Sequence, residues 1–132
     1  MQIALATATY ESAKVRQVDG MPALEGAGVA DAIRLLTDLL KSHPDMTAAY
    51  FTLGNIYANE RRDREAADEY REVTRRSPTD TVALAAQVKA LIDASAYTEA
   101  LAPARDYVHR KPTDPSGHVM LGTVYQLSLI HI

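Results

Sequence analysis

Four histidines, His43, His109, His118 and His131, are the imidazoles this 132-residue chain has for metal binding or proton transfer. No two of them stand three or four residues apart, so nothing resembles a helix-borne HExxH pair. His43 and His109 lie shortly before prolines at the ends of apolar stretches. A basic group there favours the negative end of a helix dipole. The serines form no GxSxG elbow. Gly20, Gly26 and Gly28 make neither GxGxxG nor a Walker A loop, because no Lys-Ser/Thr partner follows. The paired carboxylates Asp68 and Glu72 sit in a run, Arg61 to Arg76, where opposite charges alternate at three- and four-residue offsets, as in Glu72 with Arg75 and Arg76. That pattern reads as a solvated helix face and not as an acid/base pair. No nucleophile or titratable cluster is arranged for work. The expectation is a protein that is not an enzyme and holds no cofactor or metal.

Composition narrows the remaining classes. The formal charge is −3, with no basic surplus to neutralise phosphates, which argues against nucleic acid as a partner. Absence of cysteine excludes disulfides and thiolate metal sites. No apolar run approaches the ~20 residues of a membrane span. A 47% hydrophobic share is enough for a packed core rather than a disordered tail. Frequent alanine suits closely packed helices better than strands.

The elements that would position any binding residue follow from a repeat. Pro44, Pro78 and Pro112 recur every 34 residues, and Ala32, Ala66 and Ala100 keep the same interval. Pro-Thr-Asp at 78–80 returns at 112–114, and Leu53-Gly54 with Tyr57 returns two periods later as Leu121-Gly122 with Tyr125. Tyr50, Leu53, Ile56 and Tyr57 fall at helical spacing. A polar interval follows, then a second stripe through Ala66, Ala67, Tyr70 and Val73, stopped at Ser77-Pro78. The unit is therefore helix, short turn, helix, proline. Small Gly54 and Ala66 would let the two helices approach, with Leu53, Tyr57 and Tyr70 filling the space between. Asp45, Asp80 and Asp114 are expected to cap the helices that follow them. Pro115 suits a first helical position. Pro103 should remove the bond to the Glu99 carbonyl and bend its helix.

These residues resemble the tetratricopeptide repeat, a 34-residue unit with Leu-Gly-x-x-Tyr, a later Ala, an aromatic four further on, then Pro. Residues 47–80 carry Leu53, Gly54, Tyr57, Ala66, Tyr70 and Pro78, with Tyr50 in place of the early tryptophan. Residues 81–114 keep Ala100 and Pro112 but have Gln87-Val88, Leu91 and Ala104 at the other signature positions. The resemblance implies an all-α solenoid of antiparallel helix pairs winding as a right-handed superhelix. Its expected parts are a degenerate helix and loop (1–27), the second helix of a partial repeat (28–46), complete repeats at 47–80 and 81–114, and the first helix of a further repeat (115–126), with Leu121, Gly122 and Tyr125 in packing positions. Residues 127–132, Leu-Ser-Leu-Ile-His-Ile, equal the translation of a transposon-derived sequencing-adaptor end. They are expected to be non-native, with the true chain continuing into another helix.

In that family the first helix of each repeat lines a concave groove. The carried-over groove positions are Phe51, Asn55 and Asn59, then Ala85, Lys89 and Asp93, then Val119 and Thr123. An aromatic beside side-chain amides suits an extended peptide. Members that grip chaperone carboxylate tails use Lys and Asn one turn apart, with further Asn, Lys and Arg on the next two helices. Here Phe51, Ala86, Ser116 and Met120 stand in those slots around Asn55, so that carboxylate clamp is read as absent. The implied function is a protein–protein interaction scaffold holding a peptide or partner helix in the groove. The alternative is a recruiting or regulatory arm of a larger multidomain enzyme or secretion/envelope assembly. Met1 has no basic stretch or apolar core behind it. Ala6-Thr7-Ala8 resembles the end of a signal-cleavage site, so the compartment is read as cytoplasmic, or periplasmic if a leader has been lost.

Overall fold

The computed structural model describes Ile3, Ala6, Thr7 and residues 22–130, and everything structural below concerns those residues. Six helices follow in order, with no strand among them: α1 (Pro22–Ser42), α2 (Thr47–Asn59), α3 (Asp63–Arg76), α4 (Thr81–Asp93), α5 (Tyr97–Arg110) and α6 (Pro115–Ile130). Each helix packs chiefly on its neighbours in sequence, with a thinner contact between α4 and α6. That serial pattern is a solenoid, whose stability is a sum over neighbouring units and not the property of one central core. The buried side chains accordingly fall into two clusters. Ala6, Ala32, Leu36, Leu39, Ala49, Leu53 and Ile56 form one, and Ala66, Ala67, Tyr70, Val88, Ala90, Leu91, Ala100, Ala104 and Val124 form the other. Tyr57 packs against both and joins them.

The 34-residue period is written into the turns as well as the helices. Within each pair the chain reverses through a Schellman motif. Arg62 N–H donates to Tyr57 O and Ala96 N–H to Leu91 O, both at 2.8 Å. The hinge residues, Arg61 (φ 63°) and Ser95 (φ 60°), occupy the left-handed region one period apart, although neither is glycine. Between pairs, His43, Ser77 and Lys111 N–H groups close onto Leu39, Val73 and Tyr107 carbonyls at 2.8–2.9 Å. Pro44, Pro78 and Pro112 follow immediately and end each helix.

Three expectations need correction. The first concerns α1, which starts at Pro22 and contains Gly26 and Gly28, although 28 was the expected start. Proline at the first helical position loses no bond. Each helical glycine costs about 1 kcal/mol, too little to end a helix that buries Ala32, Leu36 and Leu39. Most of the expected degenerate segment 1–27 lies outside the described residues, as do His131 and Ile132.

The second correction is Asp45, which does not cap α2. The N-cap is Met46, with no side-chain cap. Asp80 does cap α4, its Oδ1 accepting from Ala83 N–H at 3.0 Å. Asp114 Oδ1 accepts from Ser116 N–H at 2.9 Å. One period before Asp80 stands Met46, so Asp45 is one residue out of phase.

The third is Gly122. It is exposed, and a Cβ there would meet nothing within 4 Å. The tight glycine at this end is Gly117, where a Cβ would lie 2.8 Å from Tyr107 Cδ1. The α5 helix, by contrast, runs unbroken through Pro103. Finally, α6 continues through Leu127–Ile130, leaving Leu129 and Ile130 largely exposed.

Candidate functional site

Two successive first helices, α2 and α4, turn one face each toward a common cavity of about 660 Å³. Asn55, Asn59, Lys89 and Asp93, four of the carried-over groove positions, all line it. Thr52, Ile56 and Ala58 complete the α2 side, Arg61 adds to it from the following turn, Tyr70 reaches in from α3, and Thr7 contributes from the N-terminal segment. The convergence has a simple origin. Asn55 and Asn59 are one turn apart, Lys89 and Asp93 are one turn apart, and each pair lies one 34-residue period from the other.

The two walls are held differently. Across α2, Gly54 has no Cβ, and a Cβ built there would lie 2.7 Å from Tyr70 Cε1. That gap lets the Tyr70 ring cross α2, so its hydroxyl donates to Asn55 Oδ1 at 2.6 Å. Burial pushes the Tyr70 hydroxyl up to about 12, so it stays protonated at neutral pH and remains a donor. On α4, Lys89 Nζ pairs with Asp93 Oδ2 at 2.9 Å, an exposed i,i+4 contact.

Other carried-over residues sit elsewhere. Phe51 is half-buried with its ring centroid 5.6 Å from that of Tyr70, packs against the second core cluster, and is not among the cavity's lining residues. Ala85 is half-buried. Val119 is 69% exposed, and Thr123 Oγ1 donates to the Val119 carbonyl at 2.9 Å. Both belong to α6, beyond the cavity. The packing positions divide in the same way. Leu53, Tyr70, Ala66 and Ala100 are buried, and Leu121 packs on the core. Tyr125 is largely on the surface, where its hydroxyl accepts from Arg105 Nε at 2.9 Å.

The carboxylates on α3 are ion-paired on an open face. Asp68 lies 3.7 and 3.6 Å from Arg64 and Arg71, and Glu72 lies 2.7 and 3.7 Å from Arg75 and Arg76. Sequence reasoning passed over Glu69 on the same helix. Burial, then Glu72, Asp68 and Glu65, push its carboxyl up to about 7. The signal was available, since its neighbours at i−4 and i+3 are both glutamates. Among the described residues no group of three or more His, Cys, Asp or Glu side chains is placed to hold a metal ion. No helix among them is long and apolar enough to cross a membrane.

A family model described as Tetratricopeptide repeat matches residues 22–81. Over residues 22–81 the chain carries tetratricopeptide repeats. MamA superposes with a TM-score of 0.66 at 18% identity, over 76% of this chain and 59% of that one. The first TPR of Spaghetti (RPAP3), solved bound to the HSP90 peptide SRMEEVD, gives 0.63 at 13% identity, over 92% and 90%. The Sgt2 TPR domain from Aspergillus fumigatus gives 0.60 at 17%, over 87% and 78%. At such identities these likenesses establish the fold alone. In sequence, the chain is 33% identical over 90 residues to the Drosophila melanogaster protein O-mannosyl-transferase Tmtc3, covering 61% of this chain. It spans only 10% of that relative's length. The fold is thus a tetratricopeptide solenoid, an architecture of protein-interaction scaffolds, with two chemically distinct walls facing one cavity.

Proposed function

We propose that this chain is a protein-interaction module that holds an extended peptide or partner helix in the cavity between α2 and α4. The observation that carries this reading is the convergence of Asn55, Asn59, Lys89 and Asp93, from two repeats, on one space of about 660 Å³. Amides can pair with both donors and acceptors of a peptide backbone, and the Lys89–Asp93 pair adds a charged anchor. Phe51, Ala86, Ser116 and Met120 at the clamp slots direct the reading away from a terminal carboxylate.

Asn59→Ala combined with Lys89→Ala tests it, because both residues are exposed and the fold does not depend on them. Peptide binding, followed by fluorescence polarisation, should weaken at least tenfold, on the order of two polar contacts. The circular dichroism spectrum should not change. Wild-type affinity in the double variant would refute the assignment.

One observation favours a second reading. The relative matched in sequence, protein O-mannosyl-transferase Tmtc3, is about ten times longer than the matched stretch. On that reading the repeats are a recruiting arm of a larger enzyme. The complete reading frame decides it: a catalytic or membrane module in frame with these repeats selects the second reading. The same frame shows whether residues 127–132 are native.

A further inference from the structure

Gly54, Tyr70 and Asn55 form a continuous chain of contacts from the core to the groove. The ring of Tyr70 lies where a Cβ of residue 54 would be, and its hydroxyl ends on the amide oxygen of Asn55. An amide has one acceptor oxygen and two N–H donors on opposite sides of its carbon. With the oxygen engaged by the Tyr70 hydroxyl, the N–H₂ group is what the amide has left to offer a ligand in the cavity that Asn55 lines. One period on, the equivalent residue is Lys89, an ammonium with three donors, of which Asp93 engages one. Asn55 and Lys89, one on each wall, therefore both offer donors.

Resting on the groove reading above, we infer that Tyr70 is a positioning residue that fixes Asn55 as a hydrogen-bond donor, so that the groove selects ligands presenting acceptors, namely the backbone carbonyls of an extended internal peptide segment. A terminal carboxylate offers the same acceptor chemistry, but Phe51 occupies the position where a lysine would meet it.

The probe is an array of N-acetylated, C-amidated heptapeptides. Its tightest binder is titrated in solution against wild type, Tyr70→Phe, Asn55→Asp, Asn55→Ala and the Tyr70→Phe/Asn55→Ala pair. Tyr70→Phe keeps the ring on Gly54 and removes only the hydroxyl. Affinity should fall about 3- to 10-fold, the worth of one neutral hydrogen bond. The same change should have no effect in the Asn55→Ala background. Asn55→Asp, an exposed substitution that keeps the Tyr70 bond but removes both donors, should weaken binding at least as much.

Wild-type affinity in Tyr70→Phe or in Asn55→Asp overturns the positioning role while leaving the groove intact. So does an equal loss from Tyr70→Phe in both backgrounds, because it then acts through the fold. A free-acid form of the peptide that binds tighter than the amide overturns the choice of an internal carbonyl. An array without a binder, or binding untouched by Asn55→Ala and Lys89→Ala together, overturns the groove reading itself.

Discussion

Replacing Gly54 by valine should destabilise the protein, and replacing Tyr70 by alanine in the same molecule should relieve much of the damage. The reason lies in the next repeat. One period after Gly54 and Tyr70 stand Val88 and Ala104, both fully buried in the cluster that also contains Tyr70. The two repeats fill equivalent space with opposite allocations, none-plus-large in one and medium-plus-small in the other. A Cβ on residue 54 would lie 2.7, 2.9 and 3.2 Å from Tyr70 Cε1, Cδ1 and Cζ, against ordinary carbon contacts of about 3.5–4.0 Å. The ring cannot readily withdraw, being tied to Asn55 and packed at a tilt against Phe51. Overpacking of this kind costs about 1–3 kcal/mol. Tyr70→Ala alone, at a residue 4% exposed, empties a ring-sized space and costs about 3–5 kcal/mol, as large-to-small aromatic changes do. In the double variant the valine fills part of that space, so a favourable coupling of about 2 kcal/mol or more is expected. Urea titration followed by circular dichroism and tyrosine fluorescence measures it. Coincident curves justify a two-state fit for a repeat array. If the double variant is less stable than Tyr70→Ala alone, the compensation argument is wrong.

Three smaller predictions use the same assay. Ser95→Gly should stabilise by about 1 kcal/mol, because Ser95 holds a left-handed φ of 60° in its Schellman turn and glycine adopts it without strain. A destabilised variant would mean the Ser95 side chain contributes more than its backbone costs. Gly117→Ala should lose about 1–2 kcal/mol against the Tyr107 ring, whereas Gly122→Ala should gain about 1 kcal/mol, having open space and better helix propensity. Opposite signs would reverse the assignment of the packing glycine. Glu69 has its folded-state carboxyl raised to about 7, above its unfolded value, so the folded state binds the extra proton and stability should fall as pH rises from about 4.5 to 8. Glu69→Gln should flatten that slope, gaining about 1 kcal/mol at pH 8 once solvent screening is allowed for. An unchanged slope would place the titration elsewhere.

The helix pairs were legible in the sequence because the residues that stop and pack them recur in phase. Pro44, Pro78 and Pro112 mark the stops, and Ala32, Ala66 and Ala100 mark the close approaches, all three buried. What went unread also had a phase. Ala49, Ala83 and Gly117 form a buried small-residue column one period apart. Tyr107 follows Leu39 and Val73 in another buried column, and where the residue there grows to a tyrosine, the small column drops to glycine. The Leu-Gly signature points to Gly122 instead, where the space is open. Phe51 could not be placed from its own helix. It leans on Tyr70 of the following helix, and only the pair geometry shows the meeting. In the groove, the Asn55/Asn59 and Lys89/Asp93 spacing was readable. The bond that orients Asn55 was not, because it depends on a ring passing through the gap at Gly54.

Packing and binding chemistry meet at that gap. With glycine at 54, an aromatic hydroxyl from α3 reaches the cavity and holds the adjacent amide. With valine at 88 and alanine at 104, no hydroxyl can reach across, and the adjacent Lys89 is held within its own helix by Asp93. The core pair chosen by each repeat therefore decides what secures its cavity-lining residue: a part-buried hydrogen bond between neutral groups, insensitive to salt, in one, and an exposed, salt-sensitive ion pair in the other. Raising ionic strength should loosen the Lys89 wall and spare the Asn55 wall. A peptide contact that survives 1 M salt and disappears in Tyr70→Phe would trace to Asn55, whereas one lost at high salt and indifferent to Tyr70→Phe would trace to Lys89.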